Sequence, residues 1–253
     1  MSGAIASSEV VILIKALPRP SKRYGETVCC AGVTLNREWK RLYPVRFRYL
    51  ESDQRFQRWQ MICFKYRSPT YDRRVESCHF FEDKITFTGT LSPSDRFALL
   101  EPIIMPSAYT AAERGASLAI IRPSNTKFKY RKKSETALEK EAGAYLETSR
   151  QHGLLDKELA RFRPSPYEFA FSFHDDHGKH TWLCGDWETH ATFFKWKSRY
   201  GEAETLRKLS ELYNDDYPQR GFVFAIGNMA KRPQTWQLLG IIRLDSTGQL
   251  PLI

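Results

Sequence analysis

Three phenylalanines at every second position, Phe169, Phe171 and Phe173, alternate with Glu168, Ala170 and Ser172. A period of two puts each set on its own face of an extended chain, so this segment is committed to a half-buried strand. The turn residues Asp175-Asp176-His177-Gly178 follow, and Lys179–Leu183 returns as the partner strand. Asp186 is placed to cap a helix that runs to Tyr200, with Trp187, Ala191 and Phe194 on one stripe. Lys195, Lys197 and Arg199 fill its last turn, and Gly201 ends it. A second helix over Glu202–Tyr213 carries Leu206, Leu209 and Tyr213, and a last hairpin pairs Phe222–Ile226 with Thr235–Ile242. The order hairpin, two helices, hairpin predicts an α+β module over residues 164–253.

The first half reads as β-rich. Val10–Ile14 is an apolar run of strand length, closed by Pro18-Arg19-Pro20. Thr27–Leu35 is a second strand, in which Gly32 marks a bulge or a close backbone approach. Trp39–Tyr49 puts Trp39, Arg41, Tyr43, Val45, Phe47 and Tyr49 on one side, and Pro44 confines it to an edge or breaks it. Trp59–Arg67, Ile85–Thr88 and Leu118–Ile121 are further short strands. Many short strands between turns predict a barrel-like domain over residues 8–125. A basic, helical connector over residues 126–163 joins the halves. Ser134 caps a helix from Glu135 with Leu138, Ala142, Tyr145 and Leu146 at helical spacing; Gly153 stops it, and Leu154–Phe162 forms a second short helix.

Charge narrows the partner. The chain of 253 residues carries a formal net charge of +10, with 42% hydrophobic and 13% aromatic residues, a globular composition attractive to polyanions. Fifteen cations between Lys15 and Arg74 face five acids, Glu26, Glu38, Glu51, Asp53 and Asp72. Tyr24, Trp39, Tyr43, Phe47, Tyr49, Phe56, Trp59, Phe64, Tyr66 and Tyr71 are threaded among them. Cations for phosphates and planar rings for bases predict nucleic acid, DNA or RNA, as the partner. The candidate contact residues are Lys22, Arg23, Tyr24, Arg41, Tyr43, Arg46, Arg48, Arg58, Arg67, Arg73 and Arg74. Lys127, Lys129, Arg131, Lys132 and Lys133, interrupted by Phe128 and Tyr130, form a second set. An alternative is a basic adaptor subunit that meets an acidic partner within a larger complex.

His174, Asp175, Asp176, His177 and His180, with Cys184, Asp186 and Glu188 downstream, suggest a metal-dependent nuclease as another alternative. In the hairpin His174 and His180 would face one another. Their spacing matches no established ligand motif, so no metal and no cofactor is assigned. No GxGxxG, GxxxxGK[ST], GxSxG or HExxH occurs. The cysteines Cys29, Cys30, Cys63, Cys78 and Cys184 are odd in number and lack a CxxC pair, which suits reduced thiols. Val10–Ile14 is too short to span a bilayer, and no basic segment precedes it as in a leader. A cytoplasmic protein without a membrane is expected.

Tyr24-Gly25-Glu26-Thr27-Val28-Cys29-Cys30-Ala31-Gly32-Val33 and Glu38-Trp39-Lys40-Arg41-Leu42-Tyr43-Pro44-Val45 resemble bacterial proteins described as having dual OB-type domains. Asp186-Trp187-Glu188 is similar to the same set. The resemblance implies an OB-like barrel in the first half and a nucleic-acid or nucleotide-related role in defence against mobile DNA. It carries over no catalytic residue.

Overall fold

The computed structural model describes residues 4–21, 24–151 and 164–244. Strand β1 (Ala6–Lys15) grows out of the run Val10–Ile14, every residue of which is buried. Its alternate side chains serve two cores. Val10 and Ile12 join Val28 and Cys30 of β3 (Gly25–Val33), Leu42 of β4 (Trp39–Val45), Ile62 and Phe64 of β5 (Gln60–Arg67), and Cys78 and Phe80 of β6 (Ser77–Thr90). Val11 and Leu13 point the opposite way. β1 pairs antiparallel with β3 and β5, β3 with β4, and β5 with β6, while β4 runs parallel to β6. The pairings therefore return to β1, and the short β2 (Arg19–Ser21) adds to β3. The strand expected over Trp39–Tyr49 stops at Val45, and Phe47–Tyr49 turns as a 3-10 helix.

Gly32 sits where β3 passes β1. A Cβ there would stand 2.4 Å from the Val11 carbonyl oxygen, so the strands approach closely because this position has no side chain. Gly32→Ala is expected to force β1 from β3 and cost about 1–3 kcal/mol in urea unfolding. A midpoint and slope equal to those of the parent protein would show that the contact relaxes freely.

A second sheet has the order β13-β12-β8-β7, from β7 (Ile104–Met105), β8 (Leu118–Ile121), β12 (Phe222–Met229) and β13 (Arg232–Arg243). Its middle strands are continuously apolar because both faces are covered. Leu118, Ile120, Val223 and Ala225 pack on Val11, Leu13, Ala31 and Val33 of the first sheet. Ala119, Ile121, Phe224 and Ile226 face the opposite core. Leu118–Ile121 was expected in the N-terminal half, but it pairs with β12. A four-residue apolar run has no polar face from which its partners could be read.

The third sheet is β11-β10-β9, from β9 (Ser124–Lys132), β10 (Tyr167–Asp175) and β11 (Gly178–Leu183). The cationic run is thus a strand in a sheet and not part of a connector. Phe128, Phe169, Phe171 and Phe173 turn inward against Phe224 and Ile226. Phe193 of α4 (Trp187–Tyr200), Leu206 and Leu209 of α5 (Glu202–Glu211), and Tyr213 in the π-helical turn Leu212–Asp216 close this core. Before them come α1 (Pro93–Leu100), α2 (Ala108–Glu113) and α3 (Glu135–Gln151). The helix caps read from sequence are present: Ser134 Oγ accepts from Ala137 N, Asp186 from Glu188 N, and Gly201 takes φ 81° after α4. Gly153 and the helix expected over Leu154–Phe162 lie outside the described residues. The protein is mixed α+β, with a β-rich N-terminal sheet and most of its helices later. Among the described residues no helix is long and apolar enough to cross a membrane.

Candidate nucleic-acid interface

Several arginines of the first third are consumed inside the fold. Arg58 enters the contact between the first two sheets, its side chain 11% exposed. It donates to the Leu13 carbonyl at 2.9 Å, to the Ile241 carbonyl at 2.7 Å and to Asp186, and it pairs with Glu188 at 3.1 Å. Burial disfavours its charge, but Asp186 and Glu188 more than offset this and raise its pKa. Arg41 is 2% exposed and donates to the Ser117 carbonyl at 2.8 Å and to Ser117 Oγ at 3.1 Å. Glu76 holds Ser117 from the other side through its N and Oγ. Arg74 forks onto Asp72 and donates to the Asn228 carbonyl at 2.9 Å. Burial alone would raise the Asp72 pKa, but bonds from Arg74 and Ser77 bring it to about 2. These three arginines are therefore removed from the expected surface. Five donors on a planar fork suit them to carbonyls at an interface as well as to phosphates, and the sequence does not separate the two uses.

Part of the remaining set is brought together: Tyr24 and Arg46 line one pocket with Tyr49, His79, Phe81 and Glu82. Arg46 is paired with Glu82 at 2.7 Å, and Arg67 lies over the Phe81 ring. Tyr24 and Tyr43 meet edge to face at 6.2 Å. Arg73 is exposed. Lys22 and Arg23 lie outside the described residues, as does the side chain of Arg48.

The second set forms a surface. Pairing in the third sheet sets Arg131 opposite Glu168, Lys129 opposite Ala170 and Lys127 opposite Ser172, all on the face turned away from the phenylalanines. Across β10, Ala170 meets Leu183, Ser172 meets Thr181 and His174 meets Lys179. Lys127, Lys129, Lys179 and Thr181 are exposed, and small Ala170 and Ser172 keep the middle row low. Alternate residues of a strand are about 6.7 Å apart, close to the step between phosphates of an extended nucleic-acid strand. Arg131 pairs with Glu168 at 2.8 Å, whereas Lys127, Lys129 and Lys179 have no carboxylate at ion-pair distance among the described residues. Lys179 was read from sequence only as part of a returning strand; the register that brings it to this face is tertiary information.

At the Lys132 end of β9 a cavity of about 540 Å³ opens. Its walls come from Leu17 and Arg19, from Arg131, Lys132 and Lys133, from Ser134, Ala137 and Glu141, and from Tyr167, Glu168 and His190. Here the segment after β1 meets the cationic strand. Lys133 is paired with Glu141 at 2.6 Å. His190 is 7% exposed, and its Nε2 bonds the Cys184 carbonyl at 3.2 Å. Burial chiefly holds the imidazole neutral, with its pKa pushed down to about 4; Lys133 and Arg19 act in the same sense, against the Cys184 bond and Glu141.

That shift has a defined sign. An unfolded histidine takes up a proton near pH 6.5, whereas the folded chain resists until about pH 4. Stability is therefore lost as pH falls across that window, by about 3 kcal/mol from this group, and no further below it. Urea titrations at about pH 7 and about pH 4.5 measure the loss, and His190→Gln should remove it. An unaltered pH slope in that variant would assign the acid sensitivity to other groups.

The His–Asp hairpin is occupied with structural bonds. His174 is level with Lys179 and His180 with Phe173, so the two histidines point to opposite faces and do not meet. Asp175 accepts from His177 N, bonds His180 Nε2 at 2.9 Å and accepts from Ala108 N, which ties the turn to α2. His177 stacks on Tyr109 at 4.0 Å. Asp186 is 1% exposed and bound to Arg58, Glu188 N and Ile241 N. Among the described residues no group of three or more His, Cys, Asp or Glu is placed to hold a metal ion. The cysteines are free thiols; Cys30 and Cys29 face different cores, and burial raises Cys184 to about 12.

Fold and site together define a mixed α+β protein with a basic sheet face beside a cationic cavity. The chain belongs to the family described as Domain of unknown function (DUF8757), whose model matches residues 105–250. Residues 6–104 match Domain of unknown function (DUF8758). The junction falls between Ile104 and Met105, inside β7, where the second sheet begins. Comparison with curated proteins found no match.

Proposed function

We propose that this protein binds an extended nucleic-acid strand along the outer face of β9, β10 and β11. The observation that carries this reading is the row Lys127, Lys129 and Lys179, exposed at strand spacing and without ion-pair partners among the described residues. Cations not already neutralised release counterions when they meet phosphates, and that release drives binding.

We also read the first module as OB-type. The circuit of pairings, four antiparallel and one parallel, supports this. An OB module commonly receives its ligand on its second and third strands. The corresponding β3 and β4 turn Ala31, Val33 and Trp39 toward the second sheet, and Arg41 bonds Ser117. With that face covered, the third sheet offers the open cationic surface.

Affinity for single- and double-stranded oligonucleotides, measured across a salt series, tests the proposal. Binding should weaken steeply with salt and favour single strands. No binding at low salt would end it.

A further inference from the structure

We propose that the cavity at the Lys132 end of β9 receives a terminal phosphomonoester, the phosphorylated end of the strand that lies along Lys127 and Lys129. This rests on the sheet-face reading above and adds to it recognition of a strand end.

Charge selects the ligand class. Four cations line the cavity, Arg19, Arg131, Lys132 and Lys133, with two carboxylates, Glu141 and Glu168. The ion pairs Arg131–Glu168 and Lys133–Glu141 cancel, which leaves Arg19 and Lys132 with no ion-pair partner among the described residues. A phosphate ester at a chain end carries between one and a half and two negative charges at neutral pH, roughly, whereas a diester within the strand carries one. Two cations without a direct carboxylate contact, of which Lys132 is also near enough to Glu202 to lower its pKa, therefore match the end better than the interior.

Position supports the same ligand. Lys127, Lys129 and Arg131 project on one face of β9, and Arg131 is also part of the cavity wall. A strand that follows the row arrives at the opening. Arg19 is held ready there: Leu17 N donates to the Gly185 carbonyl at 2.8 Å, and Tyr145 Oη donates to the Pro18 carbonyl at 2.6 Å. The backbone before Arg19 is thus fastened to two elements, which limits the entropy lost when its guanidinium engages an anion. The wall also holds a reporter. Arg19 and Lys133 help to keep the buried His190 neutral, so a bound dianion would oppose them and ease its protonation.

The experiment compares oligonucleotides of one sequence that carry a 5′-phosphate, a 3′-phosphate or neither, with a nucleoside monophosphate and inorganic phosphate as competitors. A phosphate at one end should tighten binding about tenfold, as a charge-assisted contact does. Arg19→Ala should abolish that gain and leave affinity for the phosphate-free strand unchanged; Lys132→Gln should abolish it too. In NMR titrations the His190 ring should protonate at higher pH once the phosphorylated strand is bound. Equal affinity for all three oligonucleotides overturns the end site and leaves the sheet-face reading standing. Capture of the nucleoside monophosphate without any oligonucleotide binding keeps the cavity as a phosphomonoester site and overturns the sheet-face reading. Binding of none of these overturns both.

Discussion

Asp186→Ala is expected to destabilise the protein by about 3–5 kcal/mol, the range for breaking a buried ion pair from one side. Asp186 is 1% exposed and serves three partners: the Arg58 guanidinium, the amide of Glu188 at the start of α4, and the amide of Ile241 in β13. Alanine leaves all three donors without this acceptor, and the Arg58 charge remains in the contact between the sheets. Glu188 still reaches Arg58 at 3.1 Å and keeps the loss from being larger. Urea unfolding measures the effect. The double variant Arg58→Met with Asp186→Leu should recover much of it, because no charge is then left buried. A single variant that loses less than about 1 kcal/mol would show that water reaches the site, as it does for exposed pairs.

Reversing the row on the third sheet should act on binding and leave folding intact. The triple variant Lys127→Glu, Lys129→Glu, Lys179→Glu is expected to lose most affinity at low salt. Each lysine that contacts a phosphate contributes about one to the slope of log affinity against log salt, so the slope should fall by about three. A charge-matched control, Lys65→Glu, Lys84→Glu, Lys231→Glu, changes net charge equally at exposed positions elsewhere. It should weaken long-range attraction and keep the slope. Equal slopes in both triple variants would remove the sheet face as the contact and leave net charge as the whole effect. Unfolding midpoints should be nearly unchanged in either, because exposed charges contribute little to stability.

The elements of the last third were legible because their signals are local. The period-two phenylalanines, the Asp186 cap and the Gly201 stop each act within a few residues, and each is found in the structure. Gly32 was legible for the same reason. The basic run at Lys127 was visible as charge, yet its strand was not, since cations at every other place resemble a solvated linker until Phe128 is seen to have a core to enter. The first-third arginines misled for a related reason. Nothing near Arg58 in the chain announces Asp186, which lies far along it, or the Leu13 and Ile241 carbonyls.

The sequence by itself determined the elements with strong local signals, such as β1, β10, α4 and α5, that the chain is α+β, and that it carries excess positive charge. Only the tertiary structure decided which cations remain available. Backbone periodicity is set by neighbours a few positions away, whereas the fate of a charge depends on which carboxylates and carbonyls arrive from distant segments. Burial of Arg41 and Arg58 against such groups withdrew these two from the expected surface, and the pairing of β9, β10 and β11 brought Lys127, Lys129 and Lys179 to one face.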